Sequence, residues 1–288
     1  MYYGRKMVCF LLLTIIVASI IIGCNFSMEK NTDTEYNESQ SVKATEQEDW
    51  KKEKNTALDV IETTKQMEQE TENPFDKKII VIDAGHQKEG NSEQEPVGPG
   101  AEETKAKVSS GTSGCISGID EYELTLKLSL KLQEKLEEDG YDVVMTRTTN
   151  DVDISNAERA EIANEVNADA FIRIHANGSD DSSVKGAMTI CQTPDNPYNA
   201  TLYEKSKSLS ENILDELVKE TKCEKQYVWE TDSMSGINWC QVPVSIVEVG
   251  YMSNPEEDEL LSTEEYQNKI VEGIAEGVEK YFEEDIVE

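Results

Sequence analysis

Short, nearly unbroken apolar runs that alternate with segments of helical period constrain this chain more than any other feature. Residues 79–82 (IIVI), 168–174 (ADAFIRI) and 243–249 (PVSIVEV) carry too little alternation for strands with one wet face. Runs of this kind belong to sheets covered on both sides. Strands are also expected at 141–145 and 184–191. Between them, residues 121–138 place Leu124, Leu128, Leu132 and Leu136 on one helical face, with Leu126 and Leu130 expected to widen the stripe. Ser155 and Asn156 can cap a helix through Val166, and further helices are expected at about 199–221 and at 263–282. These crossovers are long enough for parallel pairing. The expected fold is therefore a single α/β domain, its sheet mostly parallel or mixed and covered by helices on both faces. Residues 87–118 are polar and rich in glycine, with Pro96 and Pro99, and are expected to form a long loop. Loops of that length inside a domain are often functional.

The apolar residues upstream are of a different kind. Arg5 and Lys6 precede an apolar stretch over 7–22, which ends in Ile21-Ile22-Gly23-Cys24. The stretch is short of the roughly 20 residues that span a bilayer. It is expected to be a lipoprotein-type signal over 1–24 with Cys24 as the lipid attachment, or else an uncleaved anchor. Either reading puts the rest of the chain outside the cytoplasm, on the outer face of the membrane and toward the wall. Residues 25–76 are rich in Glu, Lys, Thr, Gln and Asn and too poor in apolar groups to offset the entropy of ordering, so they are expected to be a disordered tether. The folded domain is expected over 77–288. Acidic residues outnumber basic ones 59 to 27, for a net charge of −32, which leaves no footprint for nucleic acid. Cys115, Cys191, Cys223 and Cys240 form no CxxC pair, and the sequence does not choose between disulfides and buried thiols.

The two histidines, His86 and His175, both fall at expected strand exits, in IIVIDAGH and FIRIH. Ligands of open α/β sheets bind at that edge. A pair of imidazoles suits zinc, but a catalytic site needs a third protein ligand and an open position for water. Asp83, Glu121 and Glu248 are the candidate carboxylates. Glu248 lies between Val247 and Val249, where a charge is costly unless it meets a cation or a donor. A salt bridge to Arg147, Arg159 or Arg173 would satisfy it structurally, and Glu121 could simply favour a helix N-terminus.

Five segments taken together resemble a known family. IVIDAGHQ (80–87), SGIDEYELTLKLSLKL (117–132), VMTRT (144–148), ERAEIANEVNADAFIRIHANGS (158–179) and VPVSIVEVGYMSNPEE (242–257) are similar to the zinc-dependent N-acetylmuramoyl-L-alanine amidases of bacterial cell-wall turnover. The resemblance covers residues 78–282. It implies one zinc ion held by His86, Glu121 and His175, and a catalytic glutamate at Glu248. Glu121 fits the family spacing better than Glu123. The chain departs from many members at Ala84 and Gln87, and its 88–118 loop carries no transferable substrate detail.

The implied chemistry is self-consistent. Zinc would lower the pKa of a water and polarise an amide carbonyl, and Glu248 would accept the water proton and pass it to the leaving nitrogen. Arg147, Arg159, Arg173 and Asn177 are candidates for holding substrate or bracing carboxylates. No GxSxG elbow is present to support a serine triad. The expected substrate is peptidoglycan at the bond between N-acetylmuramic acid and L-alanine. The rival readings are another metal-dependent cell-wall peptidase and a non-catalytic wall-binding or activator protein. The anchoring expectation has its own test, since Cys24→Ala should block incorporation of labelled fatty acid and leave an unacylated precursor. Label entering the variant as readily as the wild type would refute the lipobox.

Overall fold

A computed structural model describes residues 77–285. The apolar segment 7–22, Cys24 and the polar stretch 25–76 lie outside the described residues, as do 286–288. Strand β1 (Ile79–Ala84) is buried along its whole length, as its unbroken apolar run requires. It pairs in parallel with β4 (Asp142–Met145) on one side and β5 (Ala170–Asn177) on the other. Strand β5 pairs in parallel with β8 (Val244–Tyr251), which runs antiparallel to β6 (Ala187–Cys191). Strand β7 (Lys225–Glu230) closes the order β4-β1-β5-β8-β6-β7 as an edge. The α/β fold with a mixed sheet is the architecture expected from the alternation.

Helices cover both faces. On one lie α1 (Glu121–Glu138), α3 (Tyr203–Thr221) and α6 (Glu264–Asp285); on the other lie α2 (Asn156–Glu165) and the short α4 (Ser235–Asn238). Leu124, Leu128, Leu132 and Leu136 of α1 are buried in one cluster with Ile80, Ile82, Ile172 and Ile174 of the sheet. Leu126 and Leu130 do not widen this stripe. At 3.6 residues per turn Leu126 sits roughly 200° from Leu124, and Leu130 roughly 200° from Leu128, and Leu130 is 40 % exposed. Thr125 and Ser129 take the buried positions beside the leucines. Helix α2 opens as expected: the Ser155 hydroxyl accepts from Glu158 N, and Glu158 reaches back to Ser155 N, a capping box. Among the described residues no helix is long and apolar enough to cross a membrane.

Several elements differ from expectation. The 87–118 stretch contains a hairpin, β2 (Asn91–Pro96) with β3 (Thr104–Val108), whose polar strands lack the apolar alternation that would reveal them. Strand β7, α4 and α5 (Pro255–Leu261) were also not expected. Strand β5 runs past its apolar core, so His175 lies within the strand, whereas His86 sits in the turn after β1. The four cysteines are free thiols. Burial pushes those of Cys191 and Cys240 up to about 12, where they are inert.

Two glycines set how closely α6 approaches α3. A Cβ on Gly273 would lie 2.7 Å from Leu217 Cα, and one on Gly277 only 2.5 Å from Ile213 Cα. Both clashes are with backbone, so α3 cannot yield by turning a side chain. Gly277→Ala should therefore lower the melting temperature, although alanine favours an isolated helix by about 1 kcal/mol. Overpacking of this kind costs about 1–3 kcal/mol. An unchanged or raised melting temperature would mean that the helices separate freely.

Candidate metal centre

The site begins with a buried anion at the end of β1. Asp83 is fully buried and in register with Arg173 on the neighbouring strand. Its Oδ1 accepts from Arg159 Nη1 at 2.7 Å and from the Thr146 hydroxyl at 2.6 Å, and its Oδ2 accepts from Arg173 Nε at 2.9 Å. Burial would raise this carboxyl, but the two guanidinium charges and the hydroxyl outweigh it and hold the group far below the usual carboxylate range. The arginines also grip the turn that follows. Arg159 donates to the carbonyls of Ala84 and His86, and Arg147 to those of Ala84, Gly85 and Tyr122. This grip sustains an unusual backbone, because His86 has φ 61°, a left-handed conformation costly for a residue with a side chain. Gly85 before it has no room for a Cβ, which would lie 2.4 Å from His175 Cε1.

Three side chains converge at this turn. His86 Nε2 is 3.0 Å from Glu121 Oε1, and His175 Nδ1 is 3.2 Å from the same oxygen and 3.1 Å from His86 Nε2. His86 Nδ1 donates to the Ser109 carbonyl at 2.9 Å, which leaves Nε2 bare as a ligand atom. Glu121 is the first residue of α1. Its Oε2 accepts from Thr112 N at 2.9 Å, and its Oε1 from Ala176 N at 3.1 Å. Burial alone would raise the Glu121 carboxyl, but the hydrogen bonds with His175 and His86 hold it well below its ordinary value. Burial pushes the His175 imidazole down, toward the neutral form that binds metal.

These donors fit a single metal ion. Among the described residues, His86, Glu121 and His175 are the one such cluster of three. A tetrahedral site with bonds near 2.0–2.2 Å spaces neighbouring ligand atoms by roughly 3.3–3.6 Å, a few tenths of an ångström more than the 3.0–3.2 Å seen, and two imidazoles with one carboxylate match zinc's preference. Asp83 is fully engaged by its arginines, and Glu123 is exposed on α1, so neither competes as third ligand.

Glu248 stands beside this cluster, in register with His175 across β5 and β8. Its Oε2 is buried, and among the described residues it has no hydrogen-bond partner and no arginine pairs with it; Arg159 and Arg173 are committed to Asp83. Burial, reinforced by the Glu121 charge, pushes its carboxyl up to about 8. A cavity of about 410 Å³ opens over His86, His175, Glu248 and Arg173, walled by β3 and by residues 233–236. Trp239 Nε1 donates to the Pro96 carbonyl, and Asn156 Nδ2 to that of Lys107, so the hairpin is fastened to the helices beneath it. Arg147 and Arg159 do not line the cavity. Neither does Asn177, whose side chain turns to Gly178 N and Met188 Sδ. Ser109, Thr112 and Gly111 were not anticipated. A Cβ on Gly111 would lie 2.7 Å from Glu121 Oε2, and the composition of the 88–118 stretch gave no sign of this close approach.

A family model described as N-acetylmuramoyl-L-alanine amidase matches residues 80–280. The chain belongs to that family. It is a metal-dependent amidohydrolase. The germination-specific N-acetylmuramoyl-L-alanine amidase of Bacillus subtilis is 24 % identical over 226 residues, covering 73 % of this chain and 82 % of that one. The uncharacterised Bacillus subtilis protein YqiI is 29 % identical over 211 residues, covering 73 % and 88 %. Among solved structures, the N-acetylmuramyl-L-alanine amidase Ami1 of Mycobacterium smegmatis superposes with a TM-score of 0.65 at 26 % identity, over 72 % of this chain and 97 % of that one.

Two substitutions should separate the amidase's frame from its metal ligands. Asp83→Asn strands two buried guanidinium groups and should cost about 3–5 kcal/mol in denaturant unfolding. Because the Asp83 pKa is depressed in the fold, its contribution is present above about pH 4 and is lost as pH falls below that, so the variant should lack this part of the acid-side decline. His86→Ala should instead unfold cooperatively and lose zinc on dialysis, as read by elemental analysis. Full zinc in His86→Ala would remove that residue from the ligand set.

Proposed function

We propose that this amidase hydrolyses the amide bond between the lactyl group of N-acetylmuramic acid and the first L-alanine of the peptidoglycan stem peptide. One zinc ion would be held by His86 Nε2, Glu121 Oε1 and His175 Nδ1. The observation that carries the reading is the buried, unpartnered Oε2 of Glu248 beside a three-donor cluster, at the floor of an open cavity. Zinc, when bound, supplies an acidified water and a polarised carbonyl. The remaining steps belong to the chain. Ser109 fixes the tautomer of His86, and Thr112 N and Ala176 N keep Glu121 ionised and aimed. Glu248 accepts a proton at Oε2 and returns it to the departing amide nitrogen. Its raised pKa brings it nearer the groups it exchanges with than an exposed carboxylate would stand. Arg173 reaches the cavity while bound to Asp83, so it positions the floor and offers guanidinium edges to an acidic stem peptide. Arg147 and Arg159 act as braces. Action at the cell wall follows from the family, and attachment through Cys24 with the 25–76 tether would hold the domain there.

Glu248→Gln tests the reading directly. It keeps size and removes the base, so zinc content and melting temperature should stay near wild type while kcat falls by on the order of 10² to 10⁴. Wild-type digestion of purified peptidoglycan should release stem peptides with a free L-alanine amino terminus. Wild-type turnover in the variant would eliminate Glu248 as the base, and fragments cut within the stem would replace the amidase reading with a peptidase.

A further inference from the structure

The sheet face that carries Glu248 continues past the metal cluster to the edge strand β7. Register and alternation settle which side chains share it. Val247, Thr189 and Val228 are paired across β8, β6 and β7 and turn to the α3 side, where Val247 and Val228 join the core and the Thr189 hydroxyl donates to the Ser210 carbonyl. The next row, Ile246, Ile190 and Trp229, therefore lies on the face of Glu248 and its partner Met188. Ile246 and Ile190 line the cavity. The row ends at Trp229, 40 % exposed, and two residues before it Tyr227 is 58 % exposed on the same face. The pairing of β6 with β7 shifts between Ala187 and Thr189, a bulge that falls beside Tyr227. Bulges of this kind re-aim side chains. Two exposed aromatics on an edge strand invite aggregation unless something covers them.

The charges around the cavity indicate what that cover is. Its cationic side, Lys105 of the hairpin and Arg173, suits the carboxylates of a stem peptide. At the β7 end the charged neighbours of the aromatics are drawn to the α3 side of the strand, where Lys225 pairs with Asp215 and Glu230 with Lys207. Flat, amphipathic rings in such a setting suit an uncharged ligand with apolar C–H faces. From His175 to β7 is three strand spacings, roughly 14 Å, which is beyond the sugar that carries the scissile bond.

We propose that Tyr227 and Trp229 form a stacking platform for a pyranose ring of the glycan strand, one or more sugars along from the muramic acid being cleaved. This rests on the amidase reading and adds that the enzyme grips polymer as well as peptide. The test compares the full-length protein with its Trp229→Ala, Tyr227→Ala and Trp229→Phe forms on three probes: intact peptidoglycan, a muramyl peptide with one sugar ring, and peptide-stripped glycan strands for binding alone. Each alanine variant should raise KM on intact peptidoglycan and weaken glycan-strand binding by about fivefold to tenfold. Kinetics on the one-ring substrate should be unchanged, and Trp229→Phe should restore most of the loss. Wild-type behaviour of both alanine variants on the polymer would overturn the platform, as would equal losses on the one-ring substrate. A wild-type oligomer that dissociates in the variants would also overturn it, because the face would then be a contact between copies. Wild-type protein that binds stripped glycan through Trp229 yet releases no stem peptide would count against the amidase reading and leave the platform standing.

Discussion

The ion pairs of Asp83 with Arg159 and Arg173 hold the rest of the site in place. A carboxylate at the end of a fully buried strand is tolerable only if it is paired and hydrogen-bonded, and here both oxygens accept from a guanidinium and Oδ1 also from a hydroxyl. The same guanidinium groups then satisfy the carbonyls of the turn that follows β1, so one charge cluster keeps His86 in a backbone conformation it would otherwise leave. Arg173 extends the cluster across the sheet to Asn156 on α2. The candidate metal ligands thus sit on a frame tied to two strands and a helix.

Three carboxyl groups of one residue class behave differently here because their surroundings differ. Asp83 meets two cations and stays ionised. Glu121 is nearly as buried but receives two backbone N–H donors and the imidazoles, so it too favours the charged form. Glu248 has burial without compensation and moves the other way. The ligand role proposed for Glu121 needs an anion, and the proton-carrying role proposed for Glu248 needs a group able to hold a proton. The environment separates these roles where the chemistry of the side chains does not.

The cavity owes its shape to segments of low apolar content. The hairpin β2–β3 contributes little to the core, yet it forms one wall and supplies the Ser109 carbonyl that orients His86. The 233–236 segment forms the opposite wall, pinned by Asn238 to the Val97 and Asp232 carbonyls. Polar side-chain and backbone hydrogen bonds tie these walls down, together with a few buried apolar anchors, Val97, Val108 and Ile237, that stand outside the main core cluster.

The central strands and helices, His86 and His175 at one sheet edge, and the oddity of Glu248 in an apolar strand were all legible in the sequence, because burial on both faces and helical period leave direct marks on residue order. The ligand role proposed for Glu121 could be read only through the family resemblance, since a glutamate opening a helix looks the same whether it binds metal or caps a dipole. The hairpin, β7 and α4 left no such mark: their strands are polar or half-exposed, and hydrogen bonds to distant residues determine them. The division of labour among the arginines was likewise decided by tertiary structure. Arg147, Arg159 and Arg173 are equivalent as letters, and only the positions of Asp83 and the 84–86 carbonyls make two of them braces and leave one at the cavity. Local periodicity records what each segment buries. It cannot record which partner, tens of residues away, a buried charge will meet.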